Sequence, residues 1–447
     1  MNDRIKITMP PKVKQIIETL QETGFEAYAV GGCIRDSLMS RCPNDWDICT
    51  SAKPEETKKV FEDKYHVIET GLKHGTVTVV IDKEPYEITT YRIDGEYKDN
   101  RRPEEVCFVT DLREDLARRD FTINALAYND EDGLQDYYEG QKDLETKLIR
   151  CVGDANKRFQ EDALRILRAL RFASVLGFDI EEDTAKALRE EKMLLKNIAK
   201  ERIQVELVKL LLGDGVKDIL LEYSDVLEVV IPEINDMVGF EQHNLHHCYD
   251  VWRHTVEAVS QTPKDKVLRL AALLHDSGKP RTHTCDERGV GHFYGHASVS
   301  HDIAHKVMND LRFDNETKQD VCQLVKYHDT LIIEAPKYVK RWLNRIGTEQ
   351  FKKLLTLKYA DMMGQSEFHR EDKLDSLRTL EEILSKVLEE EQCFSLKDLA
   401  VNGRDLIEIG ITDGKRIGKT LDKILEEVID GKIENRKEEL LQRAKEL

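Results

Sequence analysis

Asp45 and Asp47, separated by one tryptophan in the segment NDWDICT, have types and spacing that suit chemistry. In an extended strand alternate side chains leave the same face, so both carboxylates would project together. Two such groups repel one another unless a cation lies between them. Divalent ions held this way stabilise the charge of phosphoryl transfer, and Mg2+ is the expected ion. Just upstream, Gly31-Gly32 lets backbone N–H groups approach a phosphate. The helix expected to start there offers its positive end, and Arg35 adds a cation. Alone, the glycine pair reads as a turn and the aspartates as solvated strand ends; their combination favours chemistry. Glu87 in YEITTYR is a candidate third carboxylate, with an exposed strand position as the equal alternative.

A second constellation lies in EDALRILRALRFASVLGF, where Asp162 and Arg165 stand three apart and would share one face of a helix. A carboxylate only accepts hydrogen bonds and a guanidinium only donates them. Cytosine and adenine each present an amino donor beside a ring-nitrogen acceptor, whereas uracil and guanine reverse that order. One Asp–Arg pair could therefore select C and A, although an ordinary surface ion pair has the same spacing. Arg168 and Arg171 continue at three-residue steps, opposite Leu164, Leu167 and Leu170, and could line a triphosphate or an RNA backbone.

The elements that must position these groups change character along the chain. Lys12–Gln21 reads as a helix, Ala27–Val30 as a short strand, and Thr76–Ile81 with Tyr86–Tyr91 as a hairpin around Lys83-Glu-Pro. From about Asn156 the apolar residues recur at helical spacing almost without interruption. The expected fold class is α+β. A mixed α/β head with a small β-sheet spans 1–150, and a helical neck for base recognition and RNA binding spans 151–235. A histidine-rich module follows over 236–372, then a helical tail over 373–447. Eleven of the fourteen histidines fall between His243 and His328, which marks the module as metal-binding.

Composition narrows the class. Hydrophobic residues at 40% and charged residues at 34% describe a folded chain, and no apolar run is long enough to span a bilayer. The amino-terminal residues lack a signal-peptide pattern, and the nine cysteines form no CxxC pair, so a reducing cytoplasm is expected. A net charge of −18 excludes a protein that coats nucleic acid indiscriminately, yet permits a local basic stripe.

The ordered motifs GG-x-x-R-D with D-x-D, YRIDGEYKDNRRPEEVCF, RRDFTINALAYN, RFQEDALRILRALRFASVLGF and KERIQVEL resemble the class II tRNA nucleotidyltransferases. They are also similar to the bacterial poly(A) polymerases of the same superfamily. The resemblance implies addition of C, C and A to the 3′ end of tRNA from CTP and ATP, with release of pyrophosphate and no nucleic-acid template. It implies that Arg119 and Asp120 meet the triphosphate and the sugar hydroxyls, assisted by Asn124, and that the EDALR segment faces the base. Tyr91–Phe108, with Asp94, Gly95, Arg101, Arg102 and Pro103, looks like the flexible loop tied to terminal A addition, which argues against a CC-only enzyme. Addition of A alone and poly(A) synthesis stay open as alternatives. The order His254, His275-Asp276, Asp361 resembles the HD phosphohydrolases, in which these four would ligate a divalent transition metal. His296 and His328 extend that set to a possible second ion, and His301 and His305 have no assigned role. The implied chemistry is hydrolysis of a cyclic or terminal phosphate; an RNA-binding protein with only this module active is the alternative from another class. The glycine-bearing tail (Gly403, Gly410, Gly414, Gly418), with Lys415, Arg416 and Lys419, resembles an RNA-contacting segment or serves as a packing unit. Neither DNA nor a membrane is an expected partner.

Overall fold

Two residues with positive φ, Asp82 at 51° and Lys83 at 70°, turn the chain between two neighbouring strands of the amino-terminal sheet, Thr76–Ile81 and Glu84–Thr90. Such a turn matches the twist of a two-residue hairpin. The computed structural model describes residues 5–72, 75–95, 106–245, 248–390 and 392–447, in two units, Met1–Pro232 and Glu233–Leu447.

In the first unit the strands are β1 (Ala27–Val30), β2 (Asp47–Thr50), β3 (His66–Gly71), β4 (Thr76–Ile81), β5 (Glu84–Thr90), β6 (Arg92–Asp94), β7 (Val106–Phe108), β8 (Leu126–Asn129) and β9 (Gly133–Asp136). The main sheet has the order β3-β4-β5-β2-β1-β8-β9, and β2 runs parallel to β5. The hairpin expectation holds with an earlier second strand: Ile81 pairs with Glu84, so Glu84 and Pro85 belong to β5. β6 and β7 pair at the base of the segment expected to be a loop; its residues Arg101, Arg102 and Pro103 lie outside the described residues.

Strand alternation gives the sheet two apolar faces. On one, Ala27, Ala29, Ile48 and Ile88 pack with Val13, Ile16, Ile17 and Leu20 of α1 (Pro11–Glu22) and with α2 (Gly32–Leu38) and α3 (Pro54–Phe61). The other face carries Tyr28, Val30 and Cys49 and is covered by Leu112 and Leu116 of α4 (Leu112–Ala117). Asp47 pairs with Val30 across the β1–β2 ladder and so lies on this second face.

After α5 (Gly140–Glu145), the helices α6 (Ala155–Glu161), α7 (Leu164–Leu176), α8 (Glu182–Glu190) and α9 (Lys200–Leu211) follow. The expected continuous EDALR helix is broken. Asp162 closes α6 in extended backbone, φ −133° and ψ 100°, and α7 starts at Leu164. α7 is buried on nearly every side and ends at Gly177, whose positive φ of 69° suits a glycine. It packs on α9, where the Ser174 hydroxyl donates to the Leu210 carbonyl at 2.7 Å.

Among its described residues the second unit is helical apart from loops and the two-residue strands Thr284–Cys285 and Gly291–His292. The boundary expected after residue 372 falls inside the helix Arg370–Glu389, which packs on the helices Pro336–Ile346 and Thr348–Met363. The helices beyond it form a separate apolar cluster from Cys393 to Ala444.

A Cβ at Gly213 would lie 2.2 Å from the Ser174 hydroxyl and 2.5 Å from its carbonyl carbon. Gly213→Ala should therefore push α9 off α7 and destabilise the first unit by about 1–3 kcal/mol. Thermal unfolding of the variant reads this as a lowered Tm, and an unchanged Tm would contradict the packing described.

Candidate active sites

The strand end at Val30 leads into Gly31, whose φ of 83° is a left-handed value. A Cβ there would meet Arg119 Nη1 at 3.0 Å, so glycine serves both the turn and the close approach of a cation. Asp47 opens β2 on the same side, while Asp45 precedes the strand rather than lying in it. The Asp47 carboxyl is pushed up by burial and by Asp45, with Arg119 opposing. A buried carboxylate with a second acid beside it is a setting that a divalent cation would relieve. Glu87, next to Asp47 by the Ile48–Ile88 register, is exposed.

Around this point the arginines form one buried network. Asp115 of α4, fully buried, accepts from Arg118 at 2.8 and 3.0 Å and from Arg119 at 3.4 Å. Asp120 accepts from Arg168 Nε at 2.8 Å, from Asn124 Nδ2 at 3.0 Å and from the Phe121 N–H at 2.8 Å. Asn124 in turn accepts from Arg35 Nη1 at 2.7 Å. Burial raises both carboxyls, but the neighbouring arginines outweigh it and hold each below the ordinary value. Both oxygens of Asp120 thus accept from protein donors, which fixes Arg168 and Asn124.

The expectation that Asp162 and Arg165 share a helix face is corrected by the break at Asp162. Asp162 pairs with Arg202 of α9 at 2.9 Å and caps the Leu164 N–H. Arg165 donates to Glu161 at 2.7 Å and to the carbonyls of Arg118 and Arg158 at 2.9 and 3.1 Å. Arg165 and Arg171 are largely buried and Arg168 is partly so; none lies on a solvated stripe. Arg171 pairs with buried Glu206 at 2.8 Å. The guanidinium carbons of Arg171, Arg35 and Arg168 lie 3.9, 5.1 and 5.3 Å from the centre of the Phe172 ring. An aromatic face attracts each cation and is apolar enough to hold them close. Asp115, Phe172, Arg202 and Glu206 were missed from the sequence, although Phe172 lies within RFQEDALRILRALRFASVLGF, Arg202 and Glu206 within KERIQVEL, and Asp115 three residues before RRDF.

In the second unit four histidines converge. His254 Nε2 lies 3.2 Å from His275 Nε2, and His296 Nε2 lies 3.1 Å from His328 Nε2. Their Nδ1 atoms face the carbonyls of Gly364, Ala272, Phe293 and Val325 at 2.7–3.0 Å. A carbonyl only accepts, so each Nδ1 carries the proton, and a neutral ring then turns its lone pair inward. Asp276 joins the two pairs. Its Oδ2 lies 3.1 and 3.2 Å from His254 and His275, and its Oδ1 lies 3.4 and 3.5 Å from His296 and His328. Asp361 Oδ1 lies 3.0 Å from His254. Burial lowers His275, but Asp276 and Asp361 overcome it and bring the ring up to about 10. The donor set thus calls for positive charge at its centre and fits divalent ions, one among His254, His275, Asp276 and Asp361 and one among Asp276, His296 and His328. His301 and His305 lie outside both groups, on the helix His296–Asp310.

Family profiles match three stretches: "Poly A polymerase head domain" over 27–150, "Probable RNA and SrmB- binding site of polymerase A" over 177–238, and tRNA nucleotidyltransferase domain 2 over 287–444. A protein of Limosilactobacillus reuteri described as a CCA-adding enzyme is 33% identical over 446 residues, covering 97% of this chain and 96% of that one. Another, from Pediococcus pentosaceus, is 42% identical over 260 residues, covering 56% of this chain and 65% of its own length. The crystal structure of the Bacillus stearothermophilus CCA-adding enzyme in complex with CTP superposes with a TM-score of 0.70 at 28% identity, covering 98% of each chain.

Stability should record the ionised Asp120. A carboxyl held below its ordinary value contributes stability that is present above the unfolded pKa of about 4 and lost as pH falls beneath it. Asp120→Asn should cost about 3–5 kcal/mol at neutral pH. Denaturant titrations should show this difference shrinking below about pH 4; a difference independent of pH would contradict an ionised, paired Asp120.

Proposed function

The chain belongs to the CCA-adding enzyme family, and from that premise we propose that it adds C, C and A to the 3′ end of tRNA, taking the nucleotides from CTP and ATP. The arginine network anchored on Asp120 and Phe172 carries this reading, because Asp120 fixes Arg168, Phe172 lies against Arg171, Arg35 and Arg168, and Arg119 is close enough to act on the Asp47 carboxyl.

Arg119, Arg35 and Arg168 bind the triphosphate, and their buried partners keep them from collapsing onto solvent. Gly31 and Gly32 let the phosphates approach the backbone. Asp45 and Asp47 would hold Mg2+, which when bound supplies positive charge to the transferring phosphate and to the attacking oxygen. The 3′-oxygen of the tRNA bonds to the α-phosphorus, and pyrophosphate leaves. Asp162 accepts from the exocyclic amine of C or A, and Arg165 donates to the adjacent ring nitrogen. Three acceptors hold the Arg165 guanidinium in place, so the protein keeps the reading edge that a template strand would otherwise provide. The free cysteines suit a reducing compartment, and we place the activity in the cytoplasm. No helix among the described residues is long and apolar enough to cross a membrane.

The inward-facing histidine nitrogens favour a second activity, metal-dependent hydrolysis of a phosphate ester in the second unit. His254, His275, Asp276, His296, His328 and Asp361 would hold divalent transition metals there, with a water-derived nucleophile as the chemistry supplied.

Asp47→Ala should reduce nucleotide addition to background with tRNA lacking C-C-A, while tRNA binding in a filter assay persists. Arg165→Gln should relax selection instead, with U gaining on C by about 1–3 kcal/mol, or roughly 5- to 150-fold, in single-nucleotide incorporation. Retained selectivity in Arg165→Gln would overturn the base-reading role. In the second unit, His275→Ala should lose bound metal by elemental analysis while nucleotide addition continues. The hydrolase reading fails if the unaltered protein carries no metal and cleaves no phosphate ester.

A further inference from the structure

The short helix α4 ends at Ala117, and the last carbonyls of a helix have no partner within it. Two carbonyls at this end are taken by arginines from far along the chain. The Ala117 carbonyl accepts from Arg158 Nη1 at 3.3 Å, and the Arg118 carbonyl accepts from Arg165 Nη2 at 2.9 Å. The other acceptors described above for Arg165, Glu161 and the Arg158 carbonyl, belong to α6. The Arg118 carbonyl therefore ties the Arg165 guanidinium to the segment that carries Arg119.

Asp115 governs where that segment lies. Its Oδ1 accepts from Arg118 Nε and Nη2 at 3.0 and 2.8 Å, and from the Arg92 N–H at the start of β6 at 3.3 Å. Its Oδ2 accepts from Arg119 Nη2 at 3.4 Å. The other amine of Arg119, Nη1, is the atom that a Cβ at Gly31 would meet at 3.0 Å. Two neighbouring residues thus serve the two ends of a nucleotide, Arg118 by its carbonyl and Arg119 by its side chain, and one fully buried carboxylate holds both side chains. A charge-assisted bond in a buried place is strong and directional, so its loss shifts the groups it joins.

We propose that Asp115 is a positioning residue for base selection: through Arg118 it sets the Arg165 guanidinium, and through Arg119 it sets the triphosphate, so that base and phosphates are held in one register. The assignment rests on the base-reading role of Arg165. An acid that only neutralised two arginines would need to lie near their side chains and nothing more. Here the same acid also fixes the residue whose carbonyl Arg165 uses, and a hydrogen bond weakens steeply once its angle or length is wrong. Asp115 touches neither end of the nucleotide and acts on both.

Single-nucleotide incorporation by the full-length protein on tRNA lacking C-C-A, with CTP and UTP compared, tests this. Asp115→Asn keeps the shape and removes the charge. It should raise KM for CTP and cut the kcat/KM preference for CTP over UTP by about fivefold or more, with KM for tRNA unchanged. Arg118→Met removes only the arm toward Arg165. It should cut the preference by a similar factor while KM for CTP stays, and Arg118→Lys should restore part of it. A general loosening of the fold would lower kcat for both nucleotides and leave their ratio, so the ratio separates positioning from mere support. Circular dichroism and Tm confirm folding at the assay temperature. If Asp115→Asn does not fold, Arg118→Met decides, since its side chain is 17% exposed and the backbone carbonyl remains. An unchanged preference in folded Arg118→Met and Asp115→Asn, beside a relaxed one in Arg165→Gln, would overturn the proposal and leave the base-reading role standing. An unchanged preference in Arg165→Gln would overturn the base-reading role and this proposal with it.

Discussion

The buried carboxylate of Asp120 is the constraint on which the nucleotide site depends. It lies at the junction of the sheet and the helices and is 8% exposed, a position that an unpaired ion could not occupy. Arg168 from α7 and Asn124 from the segment before β8 meet there, and Asn124 carries the link on to Arg35 of α2. Removing that one charge would leave Arg168 half-buried beside Arg35 and Arg171 over a single aromatic ring. The cationic surface needed for a triphosphate is thus a property of how α7 docks on the head. Asp115 and Glu206 do the same for Arg119 and Arg171, so three of these arginines are each held by a buried acid.

The second unit solves the opposite problem. There the inward groups are ring nitrogens and carboxylates, with Lys279 against Asp276 at 2.7 Å, and the fold fixes the rings through their other nitrogens. Four backbone carbonyls, three of them three residues before the histidine each one meets, hold the Nδ1 protons. One site is therefore an excess of positive charge awaiting an anion, and the other an excess of electron pairs awaiting cations. Both are built from buried polar groups with their outer bonds already made, which is the arrangement that limits reorganisation when a ligand arrives.

Much of this was legible in local sequence because local signals decide it. Ala27–Val30, the first helix and the strand pair around residue 82 follow from periodicity and turn chemistry, and the D-x-D and histidine spacings follow from what phosphoryl transfer and metal binding need. The break at Asp162 was not legible. Ala163 and Leu164 are good helix formers, and neither proline nor glycine marks the stop. The break is held by contacts from elsewhere, Arg202 on Asp162 and the distant Arg118 carbonyl on Arg165. Phe172 reads in sequence as one more apolar position of α7, and its role as a platform for three arginines exists only once α2 is beside it. The boundary expected after residue 372 lies within one helix. A shift toward Lys and Glu marks an exposed face, and the other face of the helix Arg370–Glu389 packs on its neighbours through Leu377 and Leu380.

The central claim is that one protein surface, Asp162 with Arg165, reads both C and A while the triphosphate rests on the arginines beside Asp45 and Asp47. Crystal structures of this protein with CTP and with ATP test it most directly. The account predicts that both bases present their amino edge to Asp162 and Arg165, with their phosphates on Arg119, Arg35 and Arg168. Bases that occupy different sites, or a shared site away from Asp162 and Arg165, would contradict it.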